Sequence, residues 1–99
     1  MKKEDVTKIL SSLKSNFKKS FNDMKKSEAE AYLEIWERGL QRIDDVYAWK
    51  ALDFYMFEST DSFAPTIGQF LHKANEYKEE YERKHPVIRS AYEVDDVSN

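Results

Sequence analysis

The amino-acid sequence predicts an all-α fold: a small four-helix bundle-like domain over residues 1–84, then a short flexible acidic tail over 85–99. Three observations carry that prediction. Apolar residues recur at helical spacing in four successive segments. Only two glycines and two prolines occur in 99 residues, too few for the many turns of a β-rich chain. Two of the four segments open with a helix-start pattern, Ser-x-x-Glu at 27–30 and Thr-x-x-Gln at 66–69.

The first segment, "EDVTKILSSLKSNF", places Val6, Ile9, Leu10, Leu13 and Phe17 on one stripe. Glu4 and Asp5 stand at its start, where acidic side chains complement the helix dipole. The stretch that follows, "KKSFNDMKK", is polar apart from Phe21 and Met24 and reads as a connecting loop with a short turn at most. The second segment takes Ser27 as N-cap and Glu30 as its capping-box partner. Its stripe runs through Leu33, Trp36, Leu40 and Ile43. Gly39 lies inside that helix at a cost of about 1 kcal/mol against alanine, as glycine often does where another helix packs close.

The third segment follows Asp44-Asp45, either of which suits an N-cap. Spacing through Trp49, Leu52 and Met56 favours a helix, although the run "FYMF" at 54–57 blurs the period. Trp36 and Trp49 are both expected to be largely buried. The fourth segment begins with Thr66 as N-cap and Gln69 at the third helical position. Pro65 disfavours a helical backbone at Ala64, so the third helix cannot run on into the fourth. Gly68 is small and sits in the first turn, which leaves room for something to approach. Ile67, Phe70, Leu71, Ala74, Tyr77 and Tyr81 form the stripe, and the helix should end before Pro86. Beyond it "VIRSAYEVDDVSN" has no stripe and is acidic, which predicts disorder.

Bulk properties bound the function. A chain of this length makes one domain. It contains no cysteine, so disulfides, thiolate metal sites and a cysteine nucleophile are excluded. No stretch approaches the ~20 apolar residues of a membrane span, and no apolar run follows the lysines at the start. A soluble cytoplasmic protein, with no membrane partner and no cofactor, is expected. The net charge of -3 hides a gradient: residues 1–26 carry +5, residues 27–62 carry -6, and residues 85–99 carry -2. A basic first third beside an acidic middle suggests two surfaces with different partners, although charges that merely solvate helix faces would look the same.

No catalytic constellation is visible, and the chain reads as non-enzymatic. His72 and His85 are too few and too far apart for a ligand pair, and neither has an obvious carboxylate partner at helical spacing. Asp44-Asp45 caps a helix, and Asp95-Asp96 lies in the tail. The two glycines stand alone, so no phosphate-cradling loop exists. The serines and threonines have no base in view. Lys14, Lys18, Lys19, Lys25 and Lys26 could contact phosphate groups. Trp36, Trp49 and the other aromatics could stack on single-stranded bases, but at helical spacing they fit a core better.

One stretch, "EAYLEIWERGLQRIDDVYAWKALDFYMFESTDSFAPTIGQFLHKANEY", resembles a known family. Trp36 and Leu40 precede a short acidic turn at Asp44, Asp45 and Val46; Ala51 and Tyr55 follow. Phe63, Pro65, Thr66, Ile67 and Phe70 then match a loop of the form aromatic-x-Pro-Thr-[Ile/Leu]-x-x-[Ile/Phe]. This pattern, over about residues 4–81, resembles the phage replicative-helicase loader/inhibitor proteins. The resemblance implies an adaptor that binds the replicative helicase or its loader, holds the helicase inactive and delivers it to an origin-bound initiator. It also implies that a C-terminal segment faces the helicase, and here that segment is short. The candidate contacts are Tyr92, Val94, Asp95, Asp96 and Val97 in the tail, with Phe63, Pro65 and Ile67 in the loop. A monomer is expected. The alternatives from the residues alone are a small helical nucleic-acid binder using its basic first third, and a helical interaction module of another pathway.

Overall fold

The computed structural model describes residues 1–86, and the residues described form helices and no strand. Four long helices are present, as the periodicity predicts. They are α1 (Lys3–Asn16), α3 (Lys26–Leu40), α4 (Asp45–Asp53) and α5 (Ile67–Lys84), with α2 (Lys18–Phe21) as a single turn between the first two. That turn occupies part of the stretch read as a loop. The tail from residue 87 lies outside the described residues.

Helix α1 follows its sequence stripe throughout. Val6, Ile9, Leu10, Leu13 and Phe17 are all buried, and Glu4 and Asp5 occupy the first turn. Its start is tied to the turn after α3: the Gln41 side-chain amide donates to the Met1 carbonyl at 2.8 Å.

Helix α3 starts earlier than expected. The N-cap is Lys25, whose backbone is extended (φ -76°, ψ 159°) and whose carbonyl accepts from Ala29 N–H at 2.9 Å. Ser27 is therefore inside the first turn and cannot cap, so the predicted capping box there does not form. A cap needs a residue with non-helical backbone, and Ser27 no longer has one. At α4 the N-cap is Asp44, again without a side-chain hydrogen bond.

The blurred period at "FYMF" has a physical counterpart. Helix α4 widens into a π-helical turn, Phe54–Glu58, closed by Ser59 N–H donating to the Phe54 carbonyl at 2.8 Å. An i to i+5 turn absorbs an extra residue, so no single stripe of 3.6 period fits through it. Tyr55 remains buried while Phe57 is 81% exposed.

Helix α5 begins as predicted. Thr66 Oγ1 accepts from Gln69 N–H at 3.1 Å, and Thr66 N–H donates to Gln69 Oε1 at 2.9 Å, which completes the capping box. The helix ends at Lys84, before Pro86.

The core centres on Trp36 and Phe70, whose rings meet edge to face at 5.1 Å, with Tyr55 stacked on Phe70 at 5.9 Å. Helices α4 and α5 form the most extensive contact between elements. The core residues there include Ala48 and Ala51 on α4 and Ala74 on α5, all fully buried. Small side chains at such positions let two backbones come close. This corrects the stripe expected for the third segment: α4 buries Tyr47, Ala48, Ala51 and Leu52, while Trp49 is only partly buried against the core. Trp36, by contrast, is 1% exposed.

Gly39 permits the close approach expected of it. A Cβ there would lie 2.6 Å from Ile67 Cγ1 and 2.9 Å from Ile67 Cδ1, so α3 and the start of α5 pack through the missing side chain. Gly68 does not: its only neighbour within ordinary contact would be Thr66 Oγ1 at 3.8 Å. The room at Gly68 is open surface, with no element passing through it.

Candidate partner-binding surface

The loop before α5 is held in place by three devices. The Thr66–Gln69 capping box fixes where the helix starts. Pro65 is buried. Ala64 N–H donates to Ser20 Oγ at 2.9 Å, which fastens the loop to α2. These restraints place Pro65 and Ile67 on the wall of a groove of about 350 Å³ whose opposite side carries Phe21, Met24, Tyr32 and Ile35.

The lining is mostly apolar, and its aromatic members are packed in series. Phe21 meets Tyr32 edge to face at 5.5 Å, and Tyr32 lies 5.7 Å from Trp36. Burial pushes the Tyr32 hydroxyl above its usual range, and the neighbouring Trp36 partly offsets this. Tyr32 is therefore a neutral, amphipathic side chain at this wall. Ile35, one position off the buried Trp36–Leu40 stripe, is 50% exposed. A second groove, of about 480 Å³, adjoins the first through Ile35 and Ile67, and brings Arg38, Arg42 and Leu71 to its sides. The two together form one surface across α3 and the start of α5, apolar along its floor and cationic beside it. Such a surface can seat apolar anchors of a partner; its groups offer no acid–base or nucleophilic pair.

The candidate site residues divide on this surface. Pro65 and Ile67 come together in the groove. Phe63 is 72% exposed and stands outside its lining. Lys14 and Lys26 line a separate groove of about 240 Å³ between α1 and α3, together with Glu30. Lys18 and Lys19 are exposed on α2, and Lys25 is exposed at the α3 N-cap. Tyr92, Val94, Asp95, Asp96 and Val97 lie outside the described residues.

His72 is fully on the surface, and its Nε2 lies 3.4 Å from Glu76 Oε1. That i, i+4 pair corrects the expectation that neither histidine has a carboxylate partner at helical spacing. His85 stacks on Tyr81 at 4.0 Å with Nδ1 3.0 Å from the Tyr81 carbonyl oxygen. Among the described residues no group of three or more His, Cys, Asp or Glu is placed to hold a metal ion. No helix there is long and apolar enough to cross a membrane.

Sequence reasoning missed Ile35, Arg38, Arg42 and Leu71 as a surface. The available signal was Ile35 itself, an aliphatic residue one position off the buried stripe. Arg38 follows it at i+3 on the same helix face, and Arg42 stands in the turn just after α3.

The family model for G39P, N-terminal domain, matches residues 1–71. The match runs through α1–α4, the π-helical turn and the capped loop, and stops in the second turn of α5. No curated protein and no solved structure matches the chain.

Proposed function

Because the chain belongs to the G39P family of phage helicase-loader/inhibitor proteins, we propose that it is a replication adaptor that binds the replicative helicase. The observation that carries this reading is the family match over residues 1–71. In this reading the protein performs no chemistry of its own. It holds the helicase, restrains it or delivers it, and an origin-bound initiator is the natural recipient. Residues 1–84 form the helical domain and residues 85–99 a tail that engages the partner through Tyr92, Val94, Asp95, Asp96 and Val97. An acidic segment with spaced apolar anchors gains most by ordering on a basic, grooved surface. Pro65 and Ile67, with Phe63 beside them, are the competing contact on the folded domain. Their restraint by the capping box and the Ser20 bond favours a preorganised patch, which lowers the ordering cost of binding.

Affinity capture from host lysate, with the full chain and its Tyr92→Ala variant as baits, tests the reading. Recovery of the replicative helicase or its loader by the wild-type chain, reduced with Tyr92→Ala, supports it. Recovery of nucleic acid alone, lost as salt is raised, sinks it in favour of the lysine-rich first third, since phosphate contacts are steeply salt-dependent.

A further inference from the structure

The groove across α3 and α5 has an apolar floor at Ile35, Ile67 and Leu71, with Arg38 and Arg42 on its sides. Neither guanidinium joins an ion pair among the described residues. A surface of this composition is complementary to an acidic segment bearing apolar anchors. The chain itself supplies one. Residues 87–99 follow α5 and interleave Tyr92, Val94 and Val97 with Glu93, Asp95 and Asp96.

Reach permits the contact. Leu71 and Ile67 lie 13 and 17 positions before Lys84 in α5, or about 20 and 26 Å back along the helix at its usual rise. An extended chain covers about 3.3 Å per residue, so Tyr92 can stand ~26 Å from Lys84 and the two aspartates farther still. Tyr92 therefore reaches the Ile67–Leu71 floor, with Asp95 and Asp96 in range of Arg38 and Arg42. Lys78 and Glu82 lie seven and eleven residues beyond Leu71, both on the same face of α5 by helical spacing. The approach along that face is balanced in charge, so the attraction rests on Arg38 and Arg42. Tethering also makes the encounter intramolecular, so modest contacts suffice to populate it.

We propose that residues 90–97 dock in cis on the α3/α5 groove, anchored by Tyr92 and steered by Arg38 and Arg42. This inference concerns the chain alone and does not rest on the helicase reading. If both hold, the groove and the partner compete for one segment, and a partner must displace the tail before it can use it.

The absence of cysteine makes a single spin label clean to place. Ser98→Cys carries it in the full-length chain, labelled with nitrogen-15, and amide peak intensities are compared with the label oxidised and reduced. Docking predicts loss of intensity at Ile35, Gly39, Gly68 and Leu71. It predicts recovery there when Tyr92→Ala is added, and partial recovery with Asp95→Asn and Asp96→Asn together. These substitutions lie beyond α5, so they leave the helical packing alone. Loss that is unchanged by both variants, or that is confined to the last turns of α5, overturns the proposal. Loss that appears when an isotope-labelled chain without spin label is mixed with a spin-labelled, unlabelled chain also overturns it, by assigning the docked tail to a second copy.

Discussion

Gly39→Ala separates two opposing effects that the structure puts at one atom. In an exposed helix the substitution stabilises by about 1 kcal/mol, because alanine loses less backbone entropy. Here the new Cβ would sit 2.6 Å from Ile67 Cγ1, 2.9 Å from Ile67 Cδ1 and 3.5 Å from Leu71 Cδ1. Cδ1 is the free end of its side chain and can swing away. Cγ1 cannot move without turning χ1 of a β-branched residue in the first turn of α5, where few rotamers are open. Overpacking of this kind costs roughly 1–3 kcal/mol. The cost exceeds the gain, so Gly39→Ala should destabilise by about 1 kcal/mol net, equivalent to ~4–8 °C in Tm for a domain of this size. Ile67→Ala removes both clashing atoms. In that background Gly39→Ala should change sign and stabilise by up to about 1 kcal/mol. Urea unfolding of the four proteins, followed by helical circular dichroism, gives the cycle. If Gly39→Ala stabilises in both backgrounds, α3 and α5 do not meet through Gly39, and the groove that starts at their contact is wrongly drawn.

Three further outcomes follow from local chemistry. Gly68→Ala, whose Cβ would meet only Thr66 Oγ1 at 3.8 Å, should raise the urea midpoint by up to about 1 kcal/mol of stability, the opposite sign to Gly39→Ala. Thr66→Ala removes the acceptor for Gln69 N–H and should cost about 1 kcal/mol in the same assay. Burial raises the pKa of Tyr32 and Tyr55 above the ordinary 10.0. Both are neutral in the folded and unfolded chain at neutral pH, and above 10.0 the unfolded chain loses its protons first. Stability from this source is therefore whole below 10.0 and falls as pH rises past it, which urea midpoints on either side of 10.0, beside the ultraviolet titration of tyrosinate, will show.

The helices were legible where one stripe of large side chains met one core. All five stripe positions of the first segment, four in α1 and Phe17 at its C-cap, are buried, and the Thr66–Gln69 box forms as written. Legibility failed at α4 because size was taken as the mark of burial. There the small Ala48 and Ala51 are wholly buried, and the large Trp49 packs against the core only in part. It failed at Ser27 because a capping pattern names the residues but not the backbone that must be extended, and Lys25 holds that conformation. The candidate surface was half visible. Pro65 and Ile67 belong to it through a local motif, whereas Phe21, Ile35, Arg38 and Arg42 join it only because the tertiary fold brings α2, α3 with the turn after it, and the start of α5 to one surface. Nothing in the linear order of residues 21, 38 and 67 foretells that meeting.

Engagement of the replicative helicase as a protein partner, proposed above, is open to direct measurement. The direct measurement is a titration of the full-length chain, fluorescently labelled at a single introduced cysteine, against purified replicative helicase of the host. It is run at low and high salt, with a single-stranded oligonucleotide as the parallel titrant. The expected result is saturable binding to the helicase that survives the rise in salt, because apolar anchors carry it, with weaker binding to the oligonucleotide that collapses over the same range. No binding to the helicase at either salt concentration, or binding only to the oligonucleotide, contradicts a protein partner.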